Sequence, residues 1–334
     1  MSCWTDPQCL LFMGSAMLAA CAIAIWIAVK AVTTPLPQIV RYEDEKYYTD
    51  PVSKSKQPFP SINDSPRIAL SVIVPAYEEE QRLPKMLDEA LEYLENRSQK
   101  DKTFQYEVIV VSDGSKDSTV QVALAYSKKY TSDKVRVLNL IKNRGKGGAV
   151  RMGMLSARGR QLLFADADGA TQFSDLEKLE VEMRKLTPPD EWENPAIVIG
   201  SRAHLEEEAI ASRSLFRTIL MHGFHFLVWL FAVRGGIRDT QCGFKLLTRS
   251  AAHHLFNLLH VERWAFDVEL LFLAQSLKIP IEEVSVNWTE IEGSKITPVW
   301  TWLQMGCDLF LIWFRYTIGA WDITRFGSKN KKSK

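Results

Sequence analysis

From residue 68 onward, short apolar runs alternate with amphipathic stretches. Ile68–Val74, Glu107–Val111, Val135–Leu140, Gln161–Ala165 and Ala196–Gly200 read as strands, apolar enough to be covered on both faces. Between the first two, Leu83, Met86, Leu87, Ala90, Leu91 and Leu94 recur at helical spacing and predict a helix over Arg82–Asn96. Asp117–Tyr130, Gly147–Ala157 and Ser174–Leu186 are predicted as further helices. Asp117 or Ser118 suits an N-cap, and Ser174 with Glu177 forms a capping box. Strands alternating with helices imply an α/β fold with a mostly parallel, Rossmann-like sheet.

The flanks have a different pattern. Residues 10–32 are apolar save Lys30, long enough to cross a bilayer as a helix. The nine residues before them carry Asp6 and no Lys or Arg, while Lys30, Arg41 and Lys46 follow. That asymmetry predicts an uncleaved transmembrane anchor with the remainder in the cytosol. A proline-punctuated stretch at 33–67 reads as a linker. Ser212–Val233 is apolar with Arg213, Arg217, His222 and His225 spaced along it, and 298–326 is rich in Trp and Tyr with flanking cations. Aromatic-rich amphipathic helices of this kind suit a membrane interface. The expected layout is a luminal leader (1–9), an anchor (10–32), a linker (33–67) and a nucleotide-sugar and metal domain (68–211). Acceptor-side elements (212–297), with an interfacial helix at 212–233, complete it. Interfacial helices (298–326) and a basic tail (327–334) follow.

Composition narrows the partners. A formal net charge of +1 with 24% charged residues argues for no nucleic-acid partner. Five scattered cysteines with no Cys-x-x-Cys support neither a disulfide framework nor a zinc site. Nothing in the pattern bears on oligomeric state.

The candidate chemistry lies at the strand ends. The strand at Gln161–Ala165 runs into Asp166-Ala-Asp168-Gly. Residues two apart on an extended chain share a side, so both carboxylates face one point beyond a strand's carboxyl end. Ligands bind there in open α/β sheets. Paired carboxylates point to a hard divalent cation, Mg²⁺ or Mn²⁺, holding a diphosphate. Pro75, Tyr77 and Glu79 end the first strand and Asp113-Gly-Ser115 the second, with a ring and carboxylates suited to a nucleoside. Arg144-Gly-Lys146-Gly-Gly opens a helix, where glycines allow close backbone approach and the cations suit phosphate.

In order, the segments VIVPAYEE, VVSDGSKDST, NRGKGGAVRMGM, FADADGAT, IVIGSRAHL, RDTQCGFKLLTR, ERWAFDVELL and VNWTEIEGSK resemble those of family 2 glycosyltransferases of GT-A fold, and among them the dolichyl-phosphate β-glucosyltransferases. The resemblance spans 68–320. It implies inverting transfer of glucose from UDP-glucose to dolichyl phosphate at the cytosolic face of the endoplasmic reticulum. By position it implies uridine held by Pro75, Tyr77, Glu79 and Asp113, and a metal held by Asp166 and Asp168. It further implies an acceptor phosphate met by Arg202 with Arg213 or Arg217. Related dolichyl-phosphate mannose synthases often carry a Gln two residues after the second Asp; here Ala170 stands there, leaving water or substrate oxygen to complete the metal shell. Asp239 is a candidate to orient a sugar hydroxyl, to act as base, or simply to stabilise a turn. His260-Val-Glu-Arg263-Trp264 partly resembles the Gln-x-x-Arg-Trp of processive glycan synthases. Residue chemistry alone does not separate glucose from mannose delivered by GDP-mannose, nor an enzyme from a non-catalytic membrane nucleotide-sugar binder. The terminal lysines resemble a dilysine retrieval signal of endoplasmic-reticulum membrane proteins.

Overall fold

The computed structural model describes residues 7–188, 191–205, 236–291 and 298–323, together with Gly223. Its framework is set by side-chain alternation in the central strand β3 (Ile68–Ala76). Leu70, Val72 and Val74 point to one face, where they meet Leu83, Leu87, Leu91 and Leu94 of α2 (Leu83–Lys100). Ile73 points to the other, towards Val150 and Met154 of α4 (Lys146–Leu155). The flanking parallel strands are β4 (Tyr106–Ser112), β5 (Val135–Asn139) and β6 (Gly159–Ala165). Helix α3 (Thr119–Tyr130) joins α2 on the first face, and α5 (Leu176–Leu186) lies there too.

Beyond β7 (Ile197–Ser201) the structure holds elements absent from the expected pattern. These are β8 (Phe244–Thr248), α6 (Arg249–Leu258), α7 (Phe266–Ser276) and β9 (Ile281–Ser285). The seven-stranded sheet runs β5-β4-β3-β6-β8-β7-β9, with β8 antiparallel to both neighbours.

Two expected details differ. Ser174 does not cap α5: Phe173–Asp175 is a 3-10 turn, and Asp175 instead accepts from the Asn287 backbone and side chain. The stretch expected as a linker is folded onto the domain. It contains a small hairpin, β1 (Tyr47–Thr49) with β2 (Lys56–Pro58), and buries Tyr48, Ile62 and Glu45. Arg249 of α6 holds it by donating to the Ser61 and Asp64 carbonyls, each at 2.9 Å.

Helix α1 (Pro7–Val32) includes a 23-residue span, Leu10–Val32, of mean hydropathy 2.3, none of it buried against the rest of the described structure. Its far end is tied down. The Trp26 indole donates to the Ile318 carbonyl at 3.1 Å, and Asp322 N donates to Pro35 O at 3.0 Å. Residues 318–322 follow α8 (Pro298–Thr317). The segment 212–233, apart from Gly223, and the basic tail lie outside the described residues.

Glu107 concentrates charge inside the fold. It is fully buried, ion-paired to Arg136 (2% exposed), and accepts from Ser71 Oγ, Arg158 N (2.9 Å) and Arg158 Nε (3.1 Å). Removing one member of such a group leaves a buried charge without compensation. Glu107→Ala should therefore cost about 3–5 kcal/mol in chemical denaturation of the full chain in detergent. A loss below about 1 kcal/mol, in the range of exposed pairs, would contradict that role.

Candidate active site

Asp166 continues the alternation of β6. Leu162 and Phe164 face α4, so the next even position does as well. There Lys146, the first residue of α4, places its ammonium 2.8 Å from Asp166 Oδ1 and 2.9 Å from Oδ2. On its other flank Asp166 meets the backbone of the residue before β8. Its N–H donates to Gly243 O at 3.0 Å, and a Cβ at Gly243 would lie 1.9 Å from Asp166 Oδ2. Only glycine fits at 243 with Asp166 in this position.

Asp168 sits on the turn that follows. Its Oδ1 accepts from Ala170 N at 3.0 Å, and Gly169 takes a left-handed φ of 68°. Burial opposes the charge on Arg82, but Glu79, Asp168 and Asp166 together raise its pKa, so both aspartates act on one cation. Ala170 offers no side-chain ligand, and its carbonyl accepts from Thr289 N. The segment around Trp288 pairs with Thr171 and brings that ring 5.4 Å from the Arg202 guanidinium.

The residues expected at the nucleoside gather at the ends of β3 and β4, with several committed internally. Pro75 pairs with Val111 across β3 and β4, and Asp113 N donates to Ala76 O. Tyr77 leaves the same strand end. Glu79 is spent on Arg82, accepting from its Nε at 2.7 Å. The Asp113 carboxylate accepts from Arg144 N (2.7 Å) and Gly145 N (2.8 Å), shaping the loop before α4. Burial pushes its pKa up to about 6, against the pull of those amides. The Arg144 guanidinium turns away from the cleft to Glu45 and the Val40 carbonyl.

Arg202 and Asp239 form a two-pronged pair, Nε to Oδ2 at 2.7 Å and Nη2 to Oδ1 at 3.0 Å, and Arg202 N also reaches Oδ2. Burial pushes the Asp239 carboxyl up, but Arg202 outweighs it and holds the pKa below the usual carboxylate range. A carboxylate so committed orients Arg202 and makes a poor free base. Arg213 and Arg217 lie outside the described residues.

Sequence reasoning missed a second buried pair. Lys245, in mid-β8, is fully buried with Nζ 2.6 Å from Asp267 Oδ1 and 2.6 Å from Cys242 O. A lone lysine inside the apolar run Cys242–Leu247 was the available signal. His260 stacks on Trp321 at 4.1 Å, and its backbone N–H donates to buried Glu269, which explains a structural role for this part of the His-Val-Glu-Arg-Trp segment. Trp264 of that segment lies 5.9 Å from the Lys146 ammonium.

Residues 71–255 match the family model for glycosyl transferase family 2. The chain belongs to that family. Within it the chain is a member of the dolichyl-phosphate beta-glucosyltransferases. It is 64% identical to the "Dolichyl-phosphate beta-glucosyltransferase" of Drosophila melanogaster, over 98% of this chain and 100% of that one. It is 58% identical to the Homo sapiens protein of the same name, over 95% and 97% respectively. The solved mannosyl-3-phosphoglycerate synthase from Rubrobacter xylanophilus shares the fold, with a TM-score of 0.51 at 15% identity over 75% of this chain and 74% of that one. The expected GT-A architecture is borne out.

The Asp113 loop yields a pH prediction for this glycosyltransferase. Burial favours the neutral acid, so the folded chain takes up this proton near pH 6, above the usual value of ~3.9. The stabilisation from that proton is complete below the unfolded value and is lost as pH rises through 6. Function runs the other way, because a protonated carboxyl is a weaker acceptor for the two loop amides. kcat/KM for the nucleotide-sugar donor should fall below pH 6, roughly tenfold per unit, as expected for an essential base in the free enzyme. Asp113→Asn should lower the plateau and abolish that acid limb; an unchanged limb in the variant would assign it to another group.

Proposed function

We infer that the chain transfers glucose from UDP-glucose to dolichyl phosphate with inversion, giving dolichyl β-D-glucosyl phosphate. That product serves as the glucose donor for lipid-linked oligosaccharide assembly in N-glycosylation. The observation that carries this reading is near-full-length identity to relatives bearing that name, joined to an intact Asp166–Asp168 turn at the end of β6.

Pro75, Tyr77 and Asp113 border the uridine, and Arg82, paired to Glu79, also feels both aspartates. Asp166 and Asp168 hold Mg²⁺ or Mn²⁺. Their oxygens suit a hard cation, and Asp166 already binds one in the Lys146 ammonium. When bound, the metal stabilises the charge on the leaving UDP. The acceptor is a phosphate monoester of charge near −2, so it needs orientation and cations more than a base. Arg202 supplies them: its Nη1 makes no hydrogen bond among the described residues, while Asp239 fixes the other edge of the guanidinium. Arg213 and Arg217 join it on the acceptor side.

Labelled UDP-glucose and GDP-mannose, each offered with dolichyl phosphate to the purified chain, test the reaction. Glucose should enter the lipid phase and mannose should not. Asp168→Ala should reduce that transfer on the order of 10²-fold or more. Near-normal turnover in Asp168→Ala, with EDTA also harmless, would sink the metal assignment.

The same reading places the enzyme as a single-pass protein of the endoplasmic reticulum membrane, anchored by α1 with its catalytic part cytosolic. The cationic residues after the span and the cytosolic supply of UDP-sugars support this. Phe310 and Leu311 of α8 are exposed while Leu309 and Ile312 are buried, as suits a helix lying in the headgroup layer. Asn63, in the sequon Asn63-Asp-Ser65, is exposed and serves as reporter. It should remain unglycosylated in cells, and protease added to sealed microsomes should digest the chain beyond Ala31. A glycosidase-sensitive mass shift or a protected catalytic domain would reverse the topology.

A further inference from the structure

Both oxygens of Asp166 are already engaged by one cation, the Lys146 ammonium. A divalent metal held by that carboxylate sits about 2.0–2.1 Å from its oxygen. An ammonium bonded to the same pair of oxygens would lie in contact with it, and like charges at that distance repel strongly. The two cations therefore compete for that side of the carboxylate.

A second carboxylate also acts on the ammonium. Lys146 is under the charge of a second carboxylate, Asp267, which is buried. Lys245 engages Asp267 Oδ1, and Oδ2 accepts no hydrogen bond among the described residues. The rings of Phe164 at 5.3 Å and Trp264 at 5.9 Å wall the space around the Lys146 ammonium, so it keeps aromatic partners as it shifts. Its four-carbon stem springs from the first turn of α4, where helix N–H groups also favour an incoming phosphate.

We propose that Lys146 is the resident counter-ion of the metal site: it holds Asp166 in the unloaded enzyme and moves to Asp267 and the donor's diphosphate when metal is bound. The proposal rests on the assignment of Asp166 and Asp168 as metal ligands. Metal alone has to displace the lysine, so it binds weakly. The diphosphate offers the lysine a new anion, so nucleotide and metal strengthen each other's binding by a reciprocal factor.

The test is Mn²⁺ binding to the full chain in detergent, followed by the spin-resonance signal of free Mn²⁺, with and without UDP. Lys146→Met should bind Mn²⁺ alone about tenfold more tightly than the wild type, a change of about 1.4 kcal/mol. The factor by which UDP tightens Mn²⁺ binding should shrink by a similar amount. Lys146→Gln, which keeps a polar end, should move both quantities the same way, and thermal melts establish that each variant is folded. Mn²⁺ affinity unchanged or weakened in the folded variants, with the wild type still binding Mn²⁺ when UDP is present, would overturn the counter-ion role alone. A wild type that binds no Mn²⁺ even with UDP would instead overturn the metal assignment beneath it.

Discussion

The register between β6 and β8 is the constraint on which the site depends. Ala165 pairs with Phe244, so the residues just outside the ladder, Asp166 and Gly243, are forced together. The absent side chain of Gly243 is the space the Asp166 carboxylate occupies. A slip of one residue would exchange the faces of the strand and turn Asp166 towards α2. It would also take Lys245 away from Asp267 and put a charged group into the opposite core. Burial on both faces makes such a slip prohibitively costly. The positions of the Asp166 carboxylate, the lysine facing it and the buried pair behind it all follow from the same pairing.

Charged groups are used inside this protein mainly to join segments distant in sequence. Arg144 connects the loop before α4 to Glu45 near the membrane-proximal end, and Arg249 clasps Ser61 and Asp64 from α6. Arg151 of α4 binds Glu262 and the Leu259 carbonyl, fixing the segment that carries Trp264 beside Lys146. Each bond satisfies a group that would be expensive to bury alone. Together they hold the cleft's walls at set distances without relying on hydrophobic contact, which has no direction.

The central sheet was legible because its signal is local. β3 to β7 and helices α2 to α5 each carry their own apolar period, and the Asp-x-Asp turn follows directly from one of those strands. The elements between 236 and 291 were not read, since their meaning is pairwise. Lys245 looks wrong for a strand interior until Asp267 is placed opposite it, and α7 is apolar almost all round because it is buried on most sides. The partners of the side chains at the cleft were hidden for a similar reason. Arg144 was expected at phosphate for its charge, and Glu79 at the nucleoside for its place at a strand end and by resemblance; each also has a protein partner at hydrogen-bonding range that no spacing rule reveals. Asp239 likewise had three open roles; it accepts from Gln241 N two residues on, as a turn carboxylate does, and it also holds Arg202 in a two-pronged pair that no spacing rule reveals.

A nucleotide-sugar and a lipid phosphate must meet at one place, and an α1 that swung freely on the domain would leave that place undefined. The chain removes the freedom in steps. Trp26 and Lys30, at the end of the apolar span, meet the turn after α8 at Ile318 and Gly319. Asp322 then bonds back to Pro35, just past the anchor. From there Val40 and Glu45 are held by Arg144, whose own backbone amide is held by Asp113 at the nucleotide cleft. A continuous set of contacts thus runs from the C-terminal end of α1 to the loop that opens α4 and carries Lys146. The stretch that reads as a linker in sequence is folded as a strut, and its contacts join the end of α1 to the cleft.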